Sequence, residues 1–210
     1  PLCYLLLAQG QSNAALDLAN AALMACSLES ESGERTVAAG RPIVGQFIER
    51  LPWIYSEAGE YDVAVDMQRL RIASLEEQPD AESEQVLCAK DDLALMLRER
   101  GNEKDLVEAQ QILEQTLPIW RQSDPHSRDA LTPLNTLALI AQTRGDTKLA
   151  ARTFEEILER LRRLPNVEIE TVATLQGLSD ALWGTDRHRA WELLEESLRL
   201  AEQAGLPDRH

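Results

Sequence analysis

Residues 136–161 read TLALIAQTRGDTKLAARTFEEILERL. Apolar residues recur every three or four positions on both sides of Gly145, the spacing of one buried helical face. A glycine at that break ends the first helix, because it enters left-handed backbone without the penalty a β-carbon brings. Ala150, five residues on, lets a second helix fold back at close range. The stretch therefore predicts a helical hairpin. One hairpin cannot bury its apolar face alone, so the question is whether the unit recurs and stacks.

It does recur. Gly10 with Ala15 and Gly59 with Ala64 share the offset of Gly145 with Ala150, and Gly101 with Ala109 and Gly184 with Ala190 are longer copies. Successive alanines, from Ala15 through Ala64, Ala109 and Ala150 to Ala190, are 49, 45, 41 and 40 residues apart. Pro79, Pro125, Pro165 and Pro207 follow Ala64, Ala109, Ala150 and Ala190 by 15, 16, 15 and 17 residues. Prolines at that distance mark where second helices stop. A small residue at each marker allows two helices to approach to about 8–10 Å.

This phasing predicts first helices near 1–9, 41–58, 82–100, 126–144 and 167–183. Second helices follow near 12–30, 61–77, 104–122 and 187–204, with the hairpin partner of 126–144 carrying the stripe Leu149, Ala150, Thr153, Phe154, Ile157, Leu158, Leu161 and Leu164. Lys148, Arg152, Glu155, Glu159 and Arg162 occupy its opposite, solvated face. No sustained alternation and no Asn-Gly or Asp-Gly turn marks a strand, so the chain reads as all-α. The repeats fall at 1–40, 41–81, 82–125, 126–166 and 167–207, forming one domain.

Composition narrows the function. In 210 residues, 36 Asp and Glu outweigh 21 Lys and Arg, a net charge of −15 that repels phosphate backbones and anionic lipid. Nucleic acid and membrane partners are disfavoured, and neither a bilayer-length apolar run nor a secretory leader pattern is present; a cytoplasmic protein is expected. Cys3, Cys26 and Cys88 suit neither a disulfide framework nor a metal knuckle and read as small buried residues. Because the sequence opens with Pro1 inside an apolar stretch, it reads as a fragment of a longer chain.

The segments LNTLALIAQTRGDTKLAARTFEEIL (134–158), LPWIYSEAGEYDVAVDMQRL (51–70) and DLALMLRERGN (92–102) resemble tetratricopeptide repeats, in particular the longer variety of kinesin light chains and bacterial regulators. The resemblance covers nearly the whole chain. Departures are the insertion after Gly101, the altered turn at Gly184, and Gln68 in place of a bulky apolar residue. The resemblance implies a right-handed α-solenoid of about five hairpins, non-catalytic, whose first helices line a concave groove for peptides or helices.

Carried onto this sequence, the groove positions are Gln46, Glu49, Trp53 and Ser56; Cys88, Asp91, Leu95 and Arg98; Thr132, Asn135, Leu139 and Gln142; and Ala173, Gln176, Asp180 and Trp183. Glu49, Asp91, Asn135 and Gln176 form a polar rung able to hydrogen-bond an extended main chain, and Trp53, Leu95 and Leu139 an apolar one. The competing reading is a solvated helix face without a ligand. Trp53 and Trp183 suit either a binding hot spot or packing between repeats, whereas Trp120 and Trp191, on second helices, read as packing. The acidic excess near the groove favours a basic or neutral partner.

The lysines with which some tetratricopeptide domains clamp a C-terminal carboxylate are missing. His126, His188 and His210 are isolated, no phosphate loop or metal motif is present, and Asp91–Asp92 reads as a solvated pair, so neither catalysis, cofactor nor metal is expected. The sequence reads as a protein- or peptide-binding scaffold. The alternative is a ligand-sensing arm of a multidomain bacterial regulator or defence protein, with its effector domain attached elsewhere; a small helical enzyme would need a polar pocket of convergent ionisable groups.

Overall fold

The computed structural model describes residues 5–7, 9–28, 42–77, 84–122 and 128–205. The chain divides into two compact units, residues 1–101 and 102–210. The first contains α1 (Ser12–Leu28), α2 (Pro42–Glu57), α3 (Tyr61–Glu76) and α4 (Glu84–Arg100), with residues 5–7 also helical. The second contains α5 (Glu103–Gln122), α6 (Leu131–Thr143), α7 (Thr147–Leu161), α8 (Glu168–Leu182) and α9 (Arg187–Gln203). Within each unit every helix packs on the next, and the described residues contain no strand. The division at Gly101 falls inside the stretch 82–125 that the spacing assigns to one repeat.

The hairpin turns form as the glycine spacing predicts. At Gly145 (φ 78°) the glycine amide donates to the Gln142 carbonyl at 3.0 Å and the Asp146 amide to the Ala141 carbonyl at 2.8 Å. Two carbonyls that the end of α6 would leave unsatisfied are thereby bonded. Gly59 and Gly10 close in the same way, through Glu60 to Tyr55 at 2.9 Å and Gln11 to Leu6 at 2.8 Å. Gly184 departs from this expectation. It does not take left-handed backbone, and its turn closes instead through the Thr185 and Asp186 amides, both on the Leu182 carbonyl. Asp146 and Asp186 then start α7 and α9, each carboxylate accepting from the backbone amide three residues on at 3.0 Å.

The alanine markers behave as close-approach points: Ala15, Ala64, Ala109, Ala150 and Ala190 are each 0% exposed. The stripe read from α7 is buried on its core side from Ala150 to Leu161, and its charged face is exposed. Gln68, the polar departure, is fully buried in the first unit, where its Nε2 donates to the Ala89 carbonyl of α4 at 2.8 Å.

Helix α6 begins at Leu131, five residues later than the predicted 126. Arg128 is held outside it, donating to the carbonyls of Pro165 at 2.8 Å and Asn166 at 2.9 Å and pairing with Glu170 at 2.9 Å. The later start also puts Pro133 in the first turn, where a missing amide forfeits no helical bond. Pro165 lies in the bend after α7; Pro79, Pro125 and Pro207 lie outside the described residues.

Candidate functional site

In the first unit, α2, α3 and α4 enclose an open cleft of about 390 Å³ lined by Glu49, Arg50, Trp53, Glu57, Arg71 and Asp92. Four of the six come from α2, because positions 49, 50, 53 and 57 recur on one helical face. Glu49 and Glu57 stand four residues before and after Trp53, so a carboxylate lies one turn away on either side of the indole. Arg71 reaches from α3 to the Asp92 carboxylate of α4 at 3.4 Å, and the Trp53 indole N–H donates to that carboxylate. Burial pushes the Asp92 carboxyl above its ordinary range, a shift opposed by the Arg71 charge and by the hydrogen bonds from Trp53 and Arg71.

The cleft is set in a framework of ion pairs between α3 and α4. Lys90 meets Glu76 at 2.7 Å and Arg100 meets Asp62 at 2.9 Å, at partly or largely exposed positions where such pairs contribute up to about 1 kcal/mol. Arg71 and Trp53 are already engaged with Asp92. Glu49 and Glu57 are exposed and turned outward, which leaves acidic oxygens at the mouth of a cleft whose wall is an aromatic ring.

The predicted residues divide accordingly. Glu49 and Trp53 line the cleft and Ser56 lies half-buried beside them on α2; the side chain of Gln46 lies outside the described residues. Asp91 is corrected. It is 5% exposed and faces the core, while its neighbour Asp92 takes the cleft position. The outward face of α4 runs through Cys88, Asp92, Leu95 and Glu99, so Arg98 sits at its edge, half-buried and in contact with Glu99. Cys88 is exposed, contrary to its reading as a buried small residue; the side chains of Cys3 and Cys26 lie outside the described residues.

In the second unit, Thr132 and Asn135 are exposed on α6 and Ala173, Gln176 and Asp180 on α8, with Leu139 half-buried. Gln142 holds helices together instead, its Nε2 donating to the Gly177 carbonyl of α8 at 3.0 Å. Trp183 is 44% exposed, with the Arg187 guanidinium 5.8 Å from its ring centre. Trp120 is buried as expected at 4%, but Trp191 is corrected: it is 57% exposed. Among the described residues no three His, Cys, Asp or Glu side chains converge as metal ligands, and no helix is long and apolar enough to cross a membrane.

Residues 85–163 match the tetratricopeptide repeat family model. Those residues carry tetratricopeptide repeats. The fold of the chain is that of solved repeats of the kinesin-light-chain kind. BtubC (BKLC) from P. vanneervenii superposes with a TM-score of 0.76 at 18% identity, over 100% of this chain and 81% of that one. The nearly identical tetratricopeptide-like repeats of a proposed kinesin light chain from Podosopora anserina give 0.72 at 19% identity, over 97% and 93%. A variant of the latter gives 0.74 at the same identity and coverage. No curated protein sequence matches the chain.

Proposed function

We propose that this chain is a scaffold that binds an extended peptide or protein segment, and that the cleft on its first unit receives a basic side chain of that ligand. Tetratricopeptide repeats in general mediate protein–protein interaction and are not catalytic, and the all-helical fold supports that reading. The observation that carries the finer proposal is Trp53 with Glu49 and Glu57 on either side and Asp92 behind it. A guanidinium or ammonium laid on the indole face gains cation–π attraction and meets carboxylates within reach on both sides. Arg50 and Arg71 leave the cleft one negative charge in excess, and the whole chain, at −15, attracts cationic ligands at long range.

Selection of a random peptide library on the immobilised chain tests this. Arg- and Lys-containing peptides are enriched by the wild-type chain, and the preference is lost with Glu49→Arg/Glu57→Arg. Enrichment of acidic peptides, or an unchanged preference in the double variant, would overturn the cleft as the recognition site.

A further inference from the structure

The charges that line the cleft on the first unit are unevenly compensated along its length. Arg71 and the Trp53 indole N–H both hold Asp92, and Arg50 stands next to Glu49 on α2, so in each case a guanidinium offsets a carboxylate. Glu57 differs. It is exposed, it has neither ion pair nor hydrogen bond among the described residues, and the next charged residue along the chain, Glu60, is another exposed carboxylate. The one negative charge that the cleft has in excess therefore resides at its Glu57 end, a turn beyond the indole.

The cleft is also longer in one direction. Helix α2 lines it over a little more than two turns, from Glu49 to Glu57, whereas α3 and α4 contribute one residue each. An extended ligand lying in it follows α2. Trp53 and Glu57, four residues apart, stand one above the other about 6 Å apart along the helix axis. In an extended segment, residues i and i+2 project to one face about 6.6 Å apart, which matches that step. Residues one or three apart project to opposite faces. Residues four apart span about 13 Å, enough to reach Glu49 and Glu57 together, but they pass over the indole and set one cation beside Arg50.

We propose that the segment recognised by this cleft carries two arginines separated by one residue, the first stacked on the Trp53 indole and the second paired with Glu57, in either chain direction. This rests on the reading of the cleft as the receptor of a basic side chain, and adds the number, identity and spacing of the cations. Arginine suits both places better than lysine. Its planar guanidinium stacks on an indole face, and its fork matches a carboxylate with two parallel bonds, as Arg121 does with Glu156 at 2.9 and 2.8 Å in the second unit. Asp92, already held by Arg71, fixes the indole through its N–H and leaves the ring face to the ligand.

The test uses fluorescein-labelled Gly/Ser peptides, unstructured in solution, that carry a single arginine or two arginines with none, one, two or three residues between them. The two-arginine peptides share one composition and one charge, so long-range attraction to the chain is the same for all. Fluorescence anisotropy with the whole chain shows the peptide with one intervening residue binding about three- to fivefold more tightly than the other spacings, the worth of one exposed ion pair. Replacing its two arginines by lysines weakens it. Glu57→Gln, at an exposed position, removes the advantage of that spacing, and Glu159→Gln, which takes the same charge from the exposed face of α7 in the second unit, leaves it. If the single-arginine peptide binds but all spacings are equivalent, the spacing proposal is overturned while the cleft stands as the receptor of one basic side chain. An advantage that survives Glu57→Gln, or lysine peptides that bind as tightly, overturns the proposal likewise. If no arginine peptide binds, both readings fall.

Discussion

A β-carbon built on Gly177 lies 2.5 Å from Cζ of Phe154, and all three nearest atoms belong to that ring. Phe154 is 1% exposed and cannot turn away, so Gly177→Ala overpacks the α7–α8 contact and costs about 1–3 kcal/mol in urea unfolding. Adding Phe154→Leu recovers part of that loss. A Gly177→Ala chain as stable as wild type would show that the two helices are farther apart than described.

Gln68 presents the opposite case, a polar group that the core tolerates. Its Nε2 is bonded to Ala89, but Oε1 has no hydrogen-bond partner among the described residues. Gln68→Met fills the same volume and removes the orphaned acceptor, so its unfolding free energy stays within about 1 kcal/mol of wild type or rises. Gln68→Ala leaves a cavity and loses about 2 kcal/mol. The contrast between the two is the diagnostic result.

The caps give a symmetric pair of predictions. Asp146→Ala and Asp186→Ala each remove a carboxylate that accepts from an otherwise unpaired first-turn amide, and each lowers stability by about 1 kcal/mol. Asp→Asn at either position retains most of it, since the amide oxygen still accepts. Thermal unfolding of the four variants reads this directly.

Asp92 makes stability depend on pH in an unusual direction for a carboxylate. Burial raises its folded-state pKa above the unfolded value near 3.8, so the folded chain holds the proton more tightly. Its contribution is most favourable below that value and declines as pH rises through the folded pKa. Asp92→Asn abolishes this decline, and comparing unfolding free energies across the window just above pH 3.8 measures it. A cation seated in the cleft favours the ionised form, so peptide affinity rises over the same window.

Much of the fold was legible because its signals are local. A glycine near a helix end, an alanine five to eight residues later and a stripe of period 3.6 need no knowledge of distant partners, and they locate α2, α3, α4, α5, α8 and α9 to within two residues at each end. The late start of α6 depends on Arg128 reaching the loop at Pro165 and Asn166, a contact 37 residues away that sequence does not display.

The site was less legible for a geometric reason. Adjacent helix residues point about 100° apart, and where both are aspartate, composition cannot decide which faces outward. Asp91 and Asp92 are such a pair. Trp191 fails differently: its apolar stripe is plain in the sequence, but whether a helix covers that stripe is a property of the assembled unit.

The cleft itself is tested most directly by its tryptophan. The chain has four tryptophans, so a ¹⁵N-labelled sample gives four indole N–H signals, three of them internal controls. Titrated with a short unstructured peptide containing one arginine, the Trp53 signal is predicted to shift, with the midpoint weakened about tenfold by Glu49→Gln/Glu57→Gln. An unmoved Trp53 signal while the peptide binds, or a midpoint indifferent to the two glutamates, would contradict the account.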